Sequence, residues 1–232
     1  MKTDKRITKL YEAVTFLFNK FDKKVIVSDI ATDHGYLAEK LSKDKFIEKV
    51  IATDISEKSL NKLQKLIKLN KLKNIETYVG DGLKPINATD IAVIAGVGGF
   101  EIIKMISKQN KTTNYENKCR YFVLQPAQNV VELRNYIFSN RICLLKDYVI
   151  EDAERFYPIL IIDVENRQRN KKNIYNMYLG RDNNLKDIDF VKFLKDSLEY
   201  LKFIEKIPKK RIWFDRELRK KYKLKLLIEK LI

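Results

Sequence analysis

Aspartate side chains stand at the ends of three predicted strands in the N-terminal part of the chain. Asp29, Asp54 and Asp81 each follow a short run rich in β-branched residues, and a fourth such run ends in the glycine-rich segment 95–99. A carboxylate accepts hydrogen bonds from hydroxyl and amino groups and attracts a cation. Each aspartate alone could be a helix N-cap. Their repetition at successive strand ends favours a binding site over chance polarity in loops.

The loop after the first predicted strand favours one class of ligand. It reads Asp-Ile-Ala-Thr-Asp-His-Gly over 29–35, and Gly35 is its only glycine. A dinucleotide-binding loop needs the spacing Gly-x-Gly-x-x-Gly, so that the backbone can approach a pyrophosphate. The Asp33 carboxylate would repel a phosphate and would instead favour a sulfonium or an α-amino group. The loop therefore disfavours NAD and ATP and indicates S-adenosyl-L-methionine as the cofactor.

Two further aspartates fit other parts of that cofactor. Asp54 lies 19 residues after Gly35, where an acidic side chain can accept hydrogen bonds from both ribose hydroxyls. Capping is a weak alternative for Asp54, because Ser56 is the predicted N-cap of the next helix. Asp81 could accept a hydrogen bond from the adenine amino group. The predicted cofactor-binding residues are Asp33, His34, Gly35, Asp54, Ile55, Asp81, Gly82, Ala95, Gly96 and Gly98.

Alternating strands and helices must hold these side chains together. Apolar runs predict strands, and apolar residues three or four positions apart predict helices. This alternation predicts an α/β fold with a mainly parallel, Rossmann-like sheet covered on both faces. Two later strands joined by an acidic turn predict an antiparallel hairpin that closes the sheet. The strands are expected at 25–30, 49–54, 75–79, 91–95, 120–124, 141–150 and 156–164, after a helix at 4–20.

The C-terminal segment 166–232 differs in charge from residues 1–165. It holds 20 of the 47 basic residues of the chain but only nine of the 31 acidic ones. Lysine enrichment across a genome would raise the charge everywhere, whereas this excess is concentrated. Apolar residues at helical spacing on both sides of Pro208 predict two antiparallel helices, a coiled-coil hairpin with a basic turn. We therefore predict a first domain over 1–165 and a second over 166–232, whose charge suits nucleic acid.

The scarcity of cysteine and histidine excludes several kinds of site. Cys119 and Cys143 have no metal-ligand spacing and His34 is the single histidine, so neither a disulfide scaffold nor a histidine-based zinc site is expected. No apolar run reaches the length of a transmembrane helix, and the N-terminal residues lack a signal-peptide core. These features predict a cytoplasmic protein that binds neither a metal nor a membrane.

Five motifs resemble those of a known family. They are Asp-Ile-Ala-Thr-Asp-His-Gly-Tyr-Leu at 29–37, Gly-Asp-Gly-Leu at 80–83, Ala-Gly-Val-Gly-Gly at 95–99, Leu-Gln-Pro at 124–126, and Glu-Asp followed by Phe-Tyr-Pro-Ile-Leu within 151–160. In this order and spacing, residues 1–165 resemble the bacterial tRNA (adenine-22-N1)-methyltransferase family. The resemblance implies a class I methyltransferase domain that binds S-adenosyl-L-methionine and methylates N1 of an adenine in the D-arm of tRNA. The charged tail resembles the coiled-coil C-terminal domain of that family in architecture only.

Three residues depart from the pattern of that family. Ala31 stands where the family usually has glycine, Val97 where it has methionine and Ala127 where it has asparagine. Ala31 could crowd the methionine part of the cofactor, whereas the other two lie where the target base is expected to approach. None of the three removes a carboxylate that is expected to hold the cofactor.

Methylation of adenine N1 needs positioning and electrostatic stabilisation more than a strong base. The N1 lone pair is available at neutral pH, whereas the product ring carries a positive charge that a carboxylate would stabilise. Asp29 is the predicted catalytic carboxylate, and the alternative is that it only orients loop backbone or a cofactor amine. No Asn/Asp-Pro-Pro-aromatic motif follows the fourth strand, which disfavours methylation of the exocyclic amine.

The target base must leave its stack to expose N1. Tyr36 is the predicted partner for the flipped base and is counted with Asp29 as catalytic, while Tyr157 is a second candidate. Core packing is the alternative for both tyrosines, and a solvated helix face is the alternative for Arg6. The predicted substrate-binding residues are Arg6, Val97, Gln125, Tyr157, Lys209, Lys210 and Arg211.

Two other functions stay open at this point. The chain could methylate another RNA base or a small molecule, or it could be an inactive RNA-binding protein. Asp33, Asp54 and Asp81 argue against an inactive protein, because a site without a cofactor has no need of all three. The expected partner is tRNA, and the expected oligomeric state is a monomer.

Overall fold

A mixed β-sheet forms the centre of the structure, a computed structural model that describes residues 4–109 and 119–232. Its strands are β1 Val25–Ile30, β2 Ile47–Asp54, β3 Ile75–Val79, β4 Ile91–Gly98, β5 Tyr121–Gln128, β6 Ile142–Asp152 and β7 Arg155–Arg167. They lie in the order β3-β2-β1-β4-β5-β7-β6. Strands β1 to β5 are parallel, and β7 is antiparallel to both β5 and β6. The predicted α/β class and the closing hairpin are confirmed.

Helices cover both faces of this sheet. Their bounds are α1 Lys5–Thr15, α2 Tyr36–Ser42, α3 Glu57–Leu69, α4 Gly99–Gln109, α5 Val130–Ser139, α6 Ile188–Leu201, α7 Lys209–Phe214 and α8 Arg216–Leu231. Buried residues of α1, α2 and α3 pack on one face, and buried residues of α4 and α5 pack on the other. The first helix is shorter than predicted, because a 3₁₀ turn at Phe18–Lys20 follows it.

The strand order places a topological switch point at β1. The chain builds the sheet outward from β1 in one direction through β2 and β3, then returns to add β4 on the other side of β1. The helices after β1 and β4 leave on opposite faces, so their preceding loops separate and leave a crevice. Ligands of open α/β sheets bind in that crevice, outside the carboxyl ends of the strands.

The C-terminal segment contains three α-helices in place of the predicted coiled-coil pair. Pro208 is the N-cap of α7, because proline lacks the N–H group that the interior of a continuous helix would need. Asp215 then caps α8 by accepting hydrogen bonds from the backbone N–H groups of Glu217 and Leu218. The break at Asp215 divides the predicted second helix into α7 and α8. Lys209, expected in a turn, instead begins α7.

The C-terminal helices pack on the hairpin as well as on each other. Val149 of β6 is buried in the same apolar cluster as Phe190 and Leu194 of α6. The ring of Phe156 in β7 meets that of Phe193 edge to face, with centroids 5.4 Å apart. The apolar stripe of the tail therefore covers the edge of the sheet. The division into domains at residue 165 remains a prediction, and β7 continues to Arg167.

A buried ion pair fastens α5 to β6 and to the segment that leads into the tail. The Arg134 guanidinium makes two hydrogen bonds to the Asp147 carboxylate, at 2.8 and 3.0 Å, and both side chains are almost fully buried. It also donates to the backbone carbonyl groups of Met177 and Tyr178, both at 3.2 Å. The buried guanidinium charge of Arg134 is thus paired with a carboxylate and hydrogen-bonded to two carbonyl groups, as a buried charge requires.

We expect Arg134→Met to lower the free energy of unfolding by about 3–5 kcal/mol, because it leaves the Asp147 carboxylate buried without its cation. Urea unfolding measures this change. The matched control is Lys84→Met, which removes an ion pair to Asp81 between largely exposed side chains and should have a much smaller effect, because water screens an exposed pair. Equal effects of the two substitutions would contradict this view of the buried pair.

The described part of the chain lacks both a membrane-spanning helix and a cluster of metal ligands. No helix within residues 4–109 and 119–232 is both long enough and apolar enough to cross a membrane. The same residues contain no group of three or more histidine, cysteine, aspartate or glutamate side chains placed to hold a metal ion.

Candidate active site

A cleft of about 490 Å³ opens at the switch point, at the carboxyl ends of β1, β2 and β4. Its wall opposite the strand ends is the first half of α1, which contributes Arg6, Ile7 and Leu10. The loop after β1 forms its floor. The full lining is Asp4, Arg6, Ile7, Leu10, Asp29, Ala31, Thr32, Asp33, His34, Tyr36, Leu37, Asp54, Ala95 and Gly96.

The Asp54 carboxylate ties the floor of the cleft to the end of β2. One of its oxygens accepts a hydrogen bond of 2.8 Å from the backbone N–H of Ser56, and the other accepts one of 3.1 Å from that of Asp33. Ser56 caps α3 through its own hydroxyl, as predicted. A carboxylate has about four acceptor positions, so Asp54 can still bind two hydroxyl groups from the cleft.

The loop between β1 and α2 has an unusual backbone. Ala31, Asp33 and Gly35 all have positive φ angles, of 59°, 48° and 74°. A β-carbon added to Gly35 would lie 2.4 Å from Cδ1 of Leu63 in α3, so glycine is required there by contact as well as by conformation. The φ of Ala31 gives a physical reason for the glycine that is usual at this position in the resembling family.

Asp29 is buried at the end of β1, with 3% of its surface exposed. Its carboxylate accepts a hydrogen bond of 2.6 Å from the hydroxyl of Thr32 and another from the backbone N–H of Ala38. Burial raises the pKa of Asp29 to about 6, although the two hydrogen bonds act in the opposite direction. Asp29 therefore orients the loop and the start of α2, and its predicted catalytic role stays a prediction.

Aromatic and charged side chains form the mouth of the cleft. The His34 ring stacks on the Tyr36 ring, with centroids 5.6 Å apart and planes 10° from parallel. Nδ1 of His34 lies 2.7 Å from the Asp33 carboxylate, and Nε2 lies 3.1 Å from Nζ of Lys62. Since Tyr36 is about half exposed, core packing does not account for it.

Arg6 lines the cleft and contacts Tyr157, which lies outside the lining. The Arg6 guanidinium lies over the Tyr157 ring, 5.4 Å from its centroid, and the backbone N–H of Arg6 donates to the Asp152 carboxylate. Tyr157 is half-buried against the apolar cluster under α1. Arg6 thus lines the cleft, whereas Tyr157 packs partly against that cluster. The predicted substrate-binding roles of both residues stay predictions.

Several predicted site residues lie outside the lining of the cleft. Asp81 is exposed, and an ion pair of 2.6 Å with Lys84 holds the pKa of its carboxyl below the ordinary value. Ile55 is exposed, and Val97 packs against the apolar cluster under α4 and α5. The others are Gly35, Gly82, Gly98, Gln125, Tyr157, Lys209, Lys210 and Arg211. Their roles stay predictions.

A model of the methyltransferase domain matches residues 9–160 of the chain. The chain belongs to this methyltransferase family. A Mycoplasma genitalium protein provisionally named a tRNA methyltransferase is 33% identical over 159 residues, which are 67% of this chain and 69% of that protein. The tRNA (adenine(22)-N(1))-methyltransferase of Bacillus subtilis is 25% identical over 146 residues, 61% of this chain and 60% of the relative. The predicted resemblance is therefore confirmed.

Solved structures confirm the methyltransferase fold. TrmK of Mycoplasma capricolum, in complex with S-adenosyl-homocysteine, is 19% identical, with a TM-score of 0.74 over 95% of this chain and 96% of that one. The Bacillus subtilis m1A22 tRNA methyltransferase TrmK is 19% identical, with a TM-score of 0.71 over 100% of this chain and 99% of that one. Both likenesses extend over the C-terminal helices as well as the sheet.

Sequence reasoning missed two parts of the methyltransferase cleft. Thr32, the hydroxyl partner of Asp29, lies within the motif at 29–37 but carries no signal of its own. Ile7 and Leu10 belong to the apolar face of α1 and were predicted only as helix residues. The apolar spacing shows which face of α1 is buried, but the position of that face over the cleft depends on tertiary packing.

Proposed function

We propose that this methyltransferase transfers a methyl group from S-adenosyl-L-methionine to N1 of adenine 22 in the D-arm of tRNA. The observation that carries the proposal is the cleft at the switch point, where Asp29 and Asp54 stand beside a loop that lacks a pyrophosphate-binding pattern. The names of the Bacillus subtilis relative and of the TrmK structures support the same activity. A tRNA substrate also agrees with the predicted cytoplasmic location.

The residues of the cleft fit S-adenosyl-L-methionine, which supplies a methyl carbon activated by a sulfonium group. The free acceptor positions of Asp54 suit the two ribose hydroxyls. Asp33, in the loop after β1, suits the α-amino group, because its carboxylate attracts a cation and repels an anion. An inactive protein that only binds RNA would not need Asp54 held beside the cleft with free acceptor positions.

Adenine N1 attacks as a neutral lone pair, so the chain has to position the base and stabilise the charge that forms on it. Tyr36, stacked on His34 at the mouth, presents a flat surface for an unstacked base. Asp29 lies in the floor of the same cleft, where its carboxylate would attract the positive charge that develops on the ring. The chain needs no strong base for this step.

We expect Asp54→Ala to weaken binding of S-adenosyl-homocysteine, because two charge-assisted hydrogen bonds to the ribose are lost, each worth about 1.5–3 kcal/mol. Isothermal titration calorimetry measures the loss. Asp54→Asn keeps one oxygen that can accept a hydrogen bond from a backbone N–H. It therefore distinguishes the loss of ribose contacts from the loss of support for the loop. Glu57→Ala, which removes an exposed carboxylate from the same helix start, is the matched control. Unchanged affinity in both Asp54 variants would contradict the ribose assignment.

Mapping of the modified nucleotide tests the whole proposal. Purified protein is incubated with isotopically labelled S-adenosyl-L-methionine and an unmodified tRNA transcript, and the product is digested and analysed by mass spectrometry. N1-methyladenine at position 22 supports the proposal. A labelled tRNA with the methyl group on another base indicates the runner-up activity, and bound cofactor without any labelled tRNA indicates a small-molecule substrate.

A further inference from the structure

Two large aromatic side chains are exposed together on the short helix α7. Trp213 is 72% exposed and Phe214 is 81% exposed, whereas the preceding Ile212 is buried in the apolar cluster of the tail. Ile212 therefore anchors the helix, and the two rings that follow it face solvent. Two large aromatic side chains exposed at consecutive positions mark a surface that another molecule covers.

Positive charge surrounds this aromatic pair. Lys209, Lys210 and Arg211 precede it and Arg216 follows it, all with exposed side chains. Among the described residues, none of the four is found in an ion pair. The one carboxylate between them, Asp215, is occupied with two backbone N–H groups of α8. The surface thus combines aromatic faces with cations that are free to bind an anion.

We propose that Trp213 and Phe214 form a platform on which unpaired bases of the tRNA stack, while the four surrounding cations hold the adjoining phosphates. This inference rests on the proposed function and adds a second contact for the tRNA, in the C-terminal helices and apart from the target adenine. Base stacking on aromatic side chains next to a basic groove is a general mode of binding unpaired nucleic acid.

Charge and area favour RNA over the other occupants of such a surface. Insertion into a membrane needs a broad apolar face, whereas the exposed apolar surface of α7 is limited to two rings between cations. A second copy of the chain would bring the same cations against each other, which opposes association. Unpaired nucleotides provide both flat rings and phosphates at the required short spacing.

Trp213 is the only tryptophan of the chain, so its fluorescence reports on the platform directly. We expect saturating tRNA to quench the emission strongly, because direct contact with a stacked base quenches the excited indole ring. Inorganic polyphosphate should bind the cations without comparable quenching. Equal quenching by both polyanions, or none by tRNA, would overturn the stacking.

Substitution separates stacking from phosphate contacts. Trp213→Ala combined with Phe214→Ala should weaken tRNA binding about 5- to 100-fold, and the slope of log affinity against log salt should stay unchanged, because stacking releases no counterions. Trp213→Phe should keep most of the affinity. The matched control is Ile188→Ala, which removes an equally exposed apolar side chain, 72% exposed, from between Asp187 and Asp189.

Three further readouts decide between the occupants. Unchanged tRNA affinity in the double variant overturns the proposal. So does a result in light scattering in which the unsubstituted protein is a dimer and the double variant is a monomer. A shift of the Trp213 emission to shorter wavelength with anionic phospholipid vesicles, without quenching by tRNA, also overturns it, in favour of a membrane. Methylation of tRNA by the unsubstituted protein is measured in parallel, so that failure of the platform is distinguished from failure of the proposed function.

Discussion

Asp29→Asn should retain cofactor binding and lose turnover by about 10²- to 10³-fold, the effect of removing one preorganised electrostatic contact in a transition state. The substitution preserves the shape of a fully buried side chain and removes only its charge. Single-turnover methylation of tRNA measures the rate, and calorimetry with S-adenosyl-homocysteine measures the binding. A variant with full turnover would show that Asp29 only orients the loop after β1.

The pH dependence of the unsubstituted enzyme provides a second test of the same carboxylate. The pKa of Asp29 is raised to about 6 by burial, so turnover should fall as the pH drops through about 6 and the charge is lost. The contribution of Asp29 to the free energy of unfolding has the opposite pH dependence. The folded state holds this proton more tightly than the unfolded chain, so the contribution of Asp29 to stability is largest below about pH 4 and is lost as pH rises through about 6.

Thr32→Val is the matched control for Asp29. It removes the hydroxyl that donates to the carboxylate, a contact that favours the charged form, and it leaves the carboxylate in place. The pKa of Asp29 should then rise further, and the fall in turnover should begin at a higher pH, while turnover at pH 8 stays near that of the unsubstituted enzyme. An unshifted pH profile would mean that another group controls the rate.

Reversal of three charges on α7 should produce the second large effect. Lys209→Glu, Lys210→Glu and Arg211→Glu together should weaken tRNA binding about 100-fold near 0.15 M salt and reduce the slope of log affinity against log salt by about 2–3. All three side chains are exposed, so the fold and the affinity for S-adenosyl-homocysteine should be retained. Filter binding at several salt concentrations measures both quantities.

A control with the same change in net charge makes this result specific. Lys58→Glu, Lys65→Glu and Lys68→Glu reverse three exposed charges on α3 and should affect tRNA binding much less. Equal effects of the two triple variants would mean that net charge alone attracts the tRNA. Removal of the whole tail is a poorer test, because it would also uncover Val149 and the Phe156 ring, which pack against α6.

The alternation of elements and the placement of Asp29 and Asp54 were both predictable from the sequence. Apolar runs and helical spacing are local signals, and parallel strands necessarily present their carboxyl ends at one edge. The loop at 29–35 also carries its chemistry locally, since the absence of a glycine pattern and the presence of Asp33 depend on no distant contact. The tRNA methyltransferase resemblance was found in the same short motifs.

Tertiary structure alone decided which of the aspartates share a cleft. Asp81 has the same local pattern as the other two, but β3 is the edge strand and lies two strands from β1. Asp81 therefore stands outside the cleft that Asp29 and Asp54 line. Strand order follows from the packing of whole helices against the sheet, and no spacing within one strand encodes it.

In the C-terminal segment, too, some properties follow from the sequence and others from the tertiary structure. Its charge, its apolar stripe and the break at Pro208 are properties of the sequence, and they predicted a basic helical region. Its attachment to β6 and β7, and the exposure of Trp213 beside the buried Ile212, were decided in three dimensions. An apolar stripe specifies that a helix must be covered but not by what, because every apolar surface of matching shape gains the same burial free energy.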